Sequence, residues 1–176
     1  MTVEAIPLVG FRSWYVNWRP PSLLHSMGRY EPRWPPGERV RAYCFHAKYR
    51  TPKTSCGTCD APQWDCSCGL YAWYSLDDVY EPQDFFVDSD WYDQAMWGGR
   101  AAGAIAASGR VIECERGFRA EYAEPVALLE FEIASDDRNW LRELADTYQV
   151  PVLPRRELVE YARWRGELGI PVCRDG

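Results

Sequence analysis

The sequence predicts an α+β fold in which a mostly antiparallel β-sheet or small barrel comes first and two C-terminal helices come last. Three observations carry that expectation. Runs rich in β-formers, broken by Gly and Pro, fill residues 41–133. After Ser135 the apolar period changes from two residues to about 3.6. No strand–helix–strand alternation precedes that change, so a parallel sheet with crossover helices is not expected.

Pro20, Pro21, Pro32, Pro35, Pro36 and Gly37 punctuate residues 10–40. Each Pro removes a donor and restricts its predecessor, so short strands and turns are predicted there rather than helix. Arg41–Ala47 alternates and reads as a strand, residues 50–68 as a loop of Pro, Gly, Thr and Cys, and Gly69–Tyr74 as the next strand. Ala101–Glu115 is small and β-permissive, with Gly103 and Gly109 at bends or close approaches. Arg116-Gly117 reads as a tight turn in which Gly supplies a positive φ. Phe118–Ala123 returns as the partner strand, and Val126–Ile133 follows as another. Ser135 can cap the first helix, and Asp136 and Asp137 suit its positive end. Trp140, Leu141, Leu144, Ala145 and Tyr148 then fall at helical spacing over 136–148. Val150–Leu153 is extended, and Pro154 opens a second helix over 155–165, with Leu158, Tyr161, Ala162 and Arg165 on one face.

The 176 residues are 47% hydrophobic and 26% charged, which suits one domain over 1–176: a cysteine loop at 44–68, a β-rich part at 41–133 and a helical part at 135–168. Nine Trp and eleven Tyr predict an aromatic-rich core, with some aromatics left for a contact surface. Residues 1–53 hold nine Arg/Lys against three Asp/Glu, whereas the remainder holds eleven against twenty-three. A basic 29–53 region could face nucleic acid, but the net charge of −6 weighs against that, and neutralisation between the two parts is the favoured expectation. Residues 77–93 hold seven Asp/Glu and no Arg/Lys, interleaved with Tyr80, Phe85, Phe86, Trp91 and Tyr92. They read as a surface excursion and a candidate contact for a protein partner; Asp88 and Asp90 lack the Gly and bidentate Glu of a calcium loop. The N-terminal residues carry no basic-then-apolar leader and no stretch approaches eighteen apolar residues, so no membrane association and a reducing cytoplasm are expected.

Five of the seven cysteines lie between Cys44 and Cys68. Cys56-Gly-Thr-Cys59 is a C-x-x-C with the composition of a metal knuckle, and Cys66-Ser-Cys68-Gly69 is a C-x-C entering a strand. Two such pairs six residues apart, in a polar loop and a reducing compartment, predict one structural Zn2+ rather than disulfides or a redox pair. Spacing favours Cys56, Cys59, Cys66 and Cys68 as ligands; the alternative takes Cys44 in place of Cys56 and ties the loop to the sheet. His46, two residues beyond Cys44, is a further candidate ligand or its hydrogen-bonded support.

The segments Gly10-Phe-Arg-Ser-Trp14, Ala42-Tyr-Cys44, Cys59-Asp-Ala-Pro62, Cys66-Ser-Cys-Gly-Leu-Tyr-Ala72 and Gly117-Phe-Arg-Ala-Glu121 resemble a family of small, functionally uncharacterised proteins of actinobacteria and their phages. In that family a His commonly stands where this chain has Cys59. Since His and Cys are both zinc ligands, the resemblance implies the set Cys44, Cys59, Cys66 and Cys68, with Cys56 an additional thiol. It implies no activity.

Other chemistry is sparse. His25 has no candidate partner near it in sequence, Cys114 lies between Glu113 and Glu115 and reads as a core residue with a poorly activated thiol, and Cys173 is in the tail. The phosphate-loop, dinucleotide, zinc-protease, nucleophile-elbow and zinc-deaminase patterns are absent. Four thiolates would leave the metal no open position, so the sequence argues against an enzyme more than for one. Glu113, Glu115, Arg119 and Glu121 lie on the predicted hairpin and are expected to pair across its strands; a polar pocket near Arg119 and Glu121 is the enzymatic alternative. The functional expectation is a zinc-stabilised binding or adaptor module acting through protein–protein contacts, with a nucleic-acid-binding regulator as the alternative.

Overall fold

The computed structural model describes residues 6–17, 22–26, 33–44, 61–64, 66–80, 99–130 and 138–168. Among them are nine strands, β1 (Leu8–Asn17), β2 (Leu23–Ser26), β3 (Arg33–Trp34), β4 (Val40–Arg41), β5 (Leu70–Trp73), β6 (Gly99–Glu113), β7 (Gly117–Leu129), β8 (Val152–Leu153) and β9 (Glu167–Leu168). A 3₁₀ turn covers Asp78–Tyr80, and the two helices are α1 (Arg138–Tyr148) and α2 (Arg155–Arg165). The expected α+β class holds, with a mixed sheet that is antiparallel at every pairing except β1–β9 and β7–β8.

Three long strands form the frame. β6 pairs with β1 on one side, from Leu8↔Ala107 to Val16↔Gly99, and with β7 on the other. β5 pairs with β7 over Leu70–Trp73 and touches β1 at Phe11↔Trp73, so β1, β6, β7 and β5 close into a ring. β2 extends from β1 and carries β3; β4 and β8 lie along β7.

The long β1 departs from the short irregular pieces expected over residues 10–40. Val9 and Phe11 enter one buried cluster and Trp14 and Val16 another, so both faces of the strand are covered and no polar alternation betrays it. β4 is shorter than the Arg41–Ala47 strand expected: residues 42–44 leave the ladder, although the Ala42 amide still donates to the Glu121 carbonyl at 2.7 Å, and residues 45–47 lie outside the described ones. β7 is one strand where two were expected. Pro125 sits beside a register shift between Ala104 and Ile105, an irregularity that tolerates the missing donor. A second shift, between Ser108 and Val111, contains Gly109 at φ +74°, the bend expected of it. Gly117 does not take the positive φ expected of a turn glycine. It pairs with Trp73, and a Cβ there would lie 2.1 Å from the Ala72 carbonyl oxygen, so what the position requires is close strand approach.

α1 and α2 cover different clusters. Leu141, Leu144, Ala145 and Tyr148 of α1 join Trp14, Leu24, Trp34, Ile105 and Phe118. Leu158 and Ala162 of α2 join Val9, Phe11, Leu76, Val126 and Leu129. The Tyr148 hydroxyl accepts from the Leu24 amide at 2.8 Å and donates to the Trp34 carbonyl, fastening α1 to β2 and β3. The buried Trp14, Trp34, Phe11 and Phe118 bear out the aromatic core. Among the described residues, no helix is long and apolar enough to cross a membrane.

Candidate metal centre

Antiparallel pairing makes β7 the ruler that aligns two distant cysteine segments. β4 runs along it with Val40↔Ala123 and Arg41↔Tyr122, so the chain leaving β4 heads towards Glu121 and Ala120. β5 begins beside the same stretch, with Leu70↔Ala120 and Tyr71↔Arg119. The residue three past β4 and those just before β5 therefore meet, although Cys44 and Cys66 are 22 positions apart.

The thiols of Cys44, Cys66 and Cys68 all lie within 4.8 Å of one another. All three residues are buried, none is in a disulfide, and the Cys44 and Cys66 sulfurs are 3.7 Å apart. A disulfide would need about 2.05 Å. Four sulfurs placed tetrahedrally at about 2.3 Å from a metal stand about 3.8 Å apart, so the observed spacing fits shared coordination. Burial pushes the Cys68 thiol up to about 11, its hydrogen bond to Cys66 acts in the same direction, and a hydrogen bond with the Gln63 backbone opposes them. A divalent cation would reverse that preference, because a coordinated thiol is deprotonated outright.

The loop is anchored from the β6–β7 hairpin. The Arg119 Nη1 donates to the carbonyls of Gln63 at 3.2 Å, Cys68 at 3.2 Å and Cys66. Arg110 Nη1 donates to the Pro62 carbonyl at 3.3 Å. Gly69 takes φ +132°, and a Cβ on it would sit 2.8 Å from that of Arg119 and 3.2 Å from that of Pro62. Glycine after the C-x-C thus satisfies both the left-handed backbone and the narrow gap beneath the arginine stem.

Cys56, Cys59 and His46 lie outside the described residues, as does Cys173. The expected cross-strand pairing among the hairpin charges gives way to other partners. Glu113 accepts from the Tyr74 hydroxyl at 2.8 Å, Glu121 pairs with Arg41 at 3.6 Å, and Arg119 serves the loop carbonyls. Cys114 is exposed, not a core residue, because it falls in the turn between β6 and β7, where its amide donates to the Gly117 carbonyl at 2.7 Å. His25 is buried in β2, where burial first and Arg33 second lower its pKa. Of the basic segment, Arg39 pairs with Glu124 at 3.9 Å, the same neutralisation that Arg41 shows with Glu121. Of the acidic segment, the described Asp77 and Asp78 pair with Arg155 and Arg116.

Sequence reasoning missed two arginine roles. Arg119 was legible only as a charge on a hairpin, since its partners are main-chain carbonyls that no side-chain pattern announces. Arg12 is buried, with its guanidinium 4.8 Å from the Trp34 ring centroid and 3.2 Å from the Ser26 hydroxyl, inside the stretch expected to form short strands and turns.

No family model matches the chain, and neither the curated proteins nor the solved structures searched contain a match to it.

Proposed function

We propose that this chain is a zinc-stabilised binding or adaptor module of the cytoplasm, acting through contacts with a protein partner. The observation that carries the proposal is the convergence of three buried thiols at coordination spacing. Zn2+ is the ion this donor set favours, because soft thiolates select zinc over the harder divalent ions. Cys44, Cys66 and Cys68 supply three ligands. Cys59 supplies the fourth, with Cys56 and His46 as the alternatives. Two considerations support Cys59: the family resemblance, and its place two residues before buried Ala61, within about 7 Å of it by chain length. Cys56 is five residues away, a reach of up to about 18 Å. A four-ligand site holds the loop and the sheet together and keeps no position for substrate, so the metal stabilises the fold. Trp64, on the loop between Ala61 and Cys66, is 72% exposed and supports a contact surface on the loop itself.

Elemental analysis of protein purified without added metal tests the metal assignment, with near-stoichiometric zinc expected in the wild type and loss of zinc in Cys66→Ser. A fully folded wild-type protein free of metal would sink the proposal. The contact role is tested by affinity capture from the native host with wild-type and Trp64→Ala baits. A protein retained by the first and lost by the second is expected, and identical capture by both removes Trp64 from the surface.

A further inference from the structure

We propose that Arg119 is the positioning residue of the thiolate centre: it preforms the ligand loop and offsets the excess negative charge that a thiolate-bound metal creates. This inference rests on the metal reading above and deepens it.

Four thiolates around a divalent ion leave a net charge of −2, and three leave −1. Such a charge inside a cluster containing Ala42, Leu70 and Phe118 is costly unless a cation lies beside it. Arg119 is the cation the fold places there. It is only 8% exposed, and its Nη1 faces carbonyls of Cys66 and Cys68, two of the residues that offer sulfur. A carbonyl oxygen and the sulfur of one cysteine are separated by only a few bonds, so the guanidinium is held close to the centre without touching the metal. The third carbonyl, from Gln63, belongs to the turn that leads into Cys66, whose amide donates back to the same oxygen at 3.4 Å. One nitrogen therefore gathers the loop from Gln63 to Cys68.

The sequence supports this arrangement at two further points. Gly69 leaves the space through which the arginine stem passes, since a Cβ there would lie 2.8 Å from the Arg119 Cβ. Arg119 lies on β7 opposite Tyr71, one pair from Leu70↔Ala120, where β5 emerges from the C-x-C. Drawing the carbonyls towards the arginine commits their direction and, through the peptide planes, that of the intervening amides. This is how an outer group fixes the orientation of metal ligands.

The convergence on one nitrogen makes a specific chemical prediction. A lysine ammonium keeps the charge on a stem one bond shorter and without the planar fork, so Arg119→Lys should recover part of the effect, through charge more than through the carbonyl contacts. Arg119→Met keeps the stem and removes both charge and donors. Removing such a group typically weakens metal affinity about 10–100-fold. Arg110→Met is the comparison, because among the described residues of the loop Arg110 donates to the Pro62 carbonyl, outside the Gln63–Cys68 stretch that Arg119 gathers.

The test is a Co2+ titration of the apo forms of the full chain, followed by displacement with Zn2+ against a competing chelator. The thiolate-to-cobalt charge-transfer and d–d bands report the donor set and its symmetry. The expected result is wild-type-like binding within about threefold for Arg110→Met, a loss of about 10–100-fold with altered d–d bands for Arg119→Met, and an affinity between the two for Arg119→Lys. Equal affinities and spectra for Arg119→Met and wild type would overturn the inference while leaving the metal reading intact. A lysine variant that binds more weakly than the methionine variant would overturn the charge-offset role. Wild-type protein that binds no Co2+ would instead remove the metal reading itself. Should Arg119→Met fail to fold, Arg119→Gln, which keeps N–H donors and loses the charge, is read in its place; an unweakened affinity there overturns the charge-offset role.

Discussion

Replacing Tyr148 by Phe removes one oxygen from the point where α1 meets β2 and β3. That hydroxyl accepts from the Leu24 amide at 2.8 Å and donates to the Trp34 carbonyl, and both of those residues are fully buried. The phenyl ring keeps the packing, so the loss is that of two hydrogen bonds whose main-chain partners have no water to turn to. Each net bond contributes about 1–1.5 kcal/mol, so losing both should cost about 2–3 kcal/mol. With a urea dependence of about 2 kcal/mol per molar, the unfolding midpoint falls by about 1–1.5 M. The same tyrosine gives the effect a pH signature. Burial raises its pKa from 10.0 to about 12, partly opposed by the Leu24 amide. A raised folded pKa contributes stability that is fully present below pH 10 and is lost as pH rises through 12. At pH 11 about 1 kcal/mol of it should be gone from the wild type, while the Tyr148→Phe variant has nothing to titrate at that position. Urea melts of both proteins at pH 7 and pH 11 should therefore show the gap between them narrowing by about that amount. A gap that is unchanged at pH 11, or a loss below about 0.5 kcal/mol at pH 7, would refute this account of the α1 anchor.

Three further predictions concern the loop and its frame. Cys56→Ser should retain metal and Cys59→Ser should lose it, as read by zinc content after desalting; the opposite pattern would exchange the two residues as fourth ligand. Chelation should raise amide exchange first at residues 42–44 and 66–73, while α2 stays protected longest, because Leu158 and Ala162 pack in the cluster that holds none of the three cysteines; unchanged protection at 42–44 and 66–73 after complete metal removal would show that the ion is not structural. Gly117→Ala should destabilise the chain by about 3 kcal/mol in chemical melts, since its Cβ would meet the Ala72 carbonyl oxygen at 2.1 Å, and a loss under about 1 kcal/mol would mean that β5 and β7 separate easily.

The parts legible in the sequence are those whose signal is local. The 3.6-residue period from Trp140 to Tyr148 and the proline before Arg155 located both helices, and the β-formers from Leu70 to Trp73 located β5. Gly109 announced its bulge because a positive φ is written in the residue type. β1 was hidden because residues on both its faces are buried, and an apolar strand of that kind carries no alternation. An open sheet and a small barrel stood as alternatives in the sequence because the closure into a ring runs through a single β5–β1 pair, Phe11↔Trp73, which no pattern of either strand encodes. At the site, Cys66 and Cys68 were legible from their spacing. That Cys44 joins them depends on β4 and β5 sharing one edge of β7, a relation of register and not of composition. Arg119 was legible as a charge but not as an anchor, because hydrogen bonds to carbonyls leave no trace in the residue types that make them.

The most direct test of the central claim is X-ray absorption at the zinc edge on the full-length protein as isolated. A first shell of sulfur at about 2.3 Å, three or four atoms per zinc and with no more than one nitrogen, is the expected result. It should be halved in amplitude or lost when Cys66 and Cys68 are both replaced by Ser. A shell dominated by oxygen or nitrogen, or an edge unaffected by that double substitution, would contradict the assignment of Cys44, Cys66 and Cys68 as a metal centre.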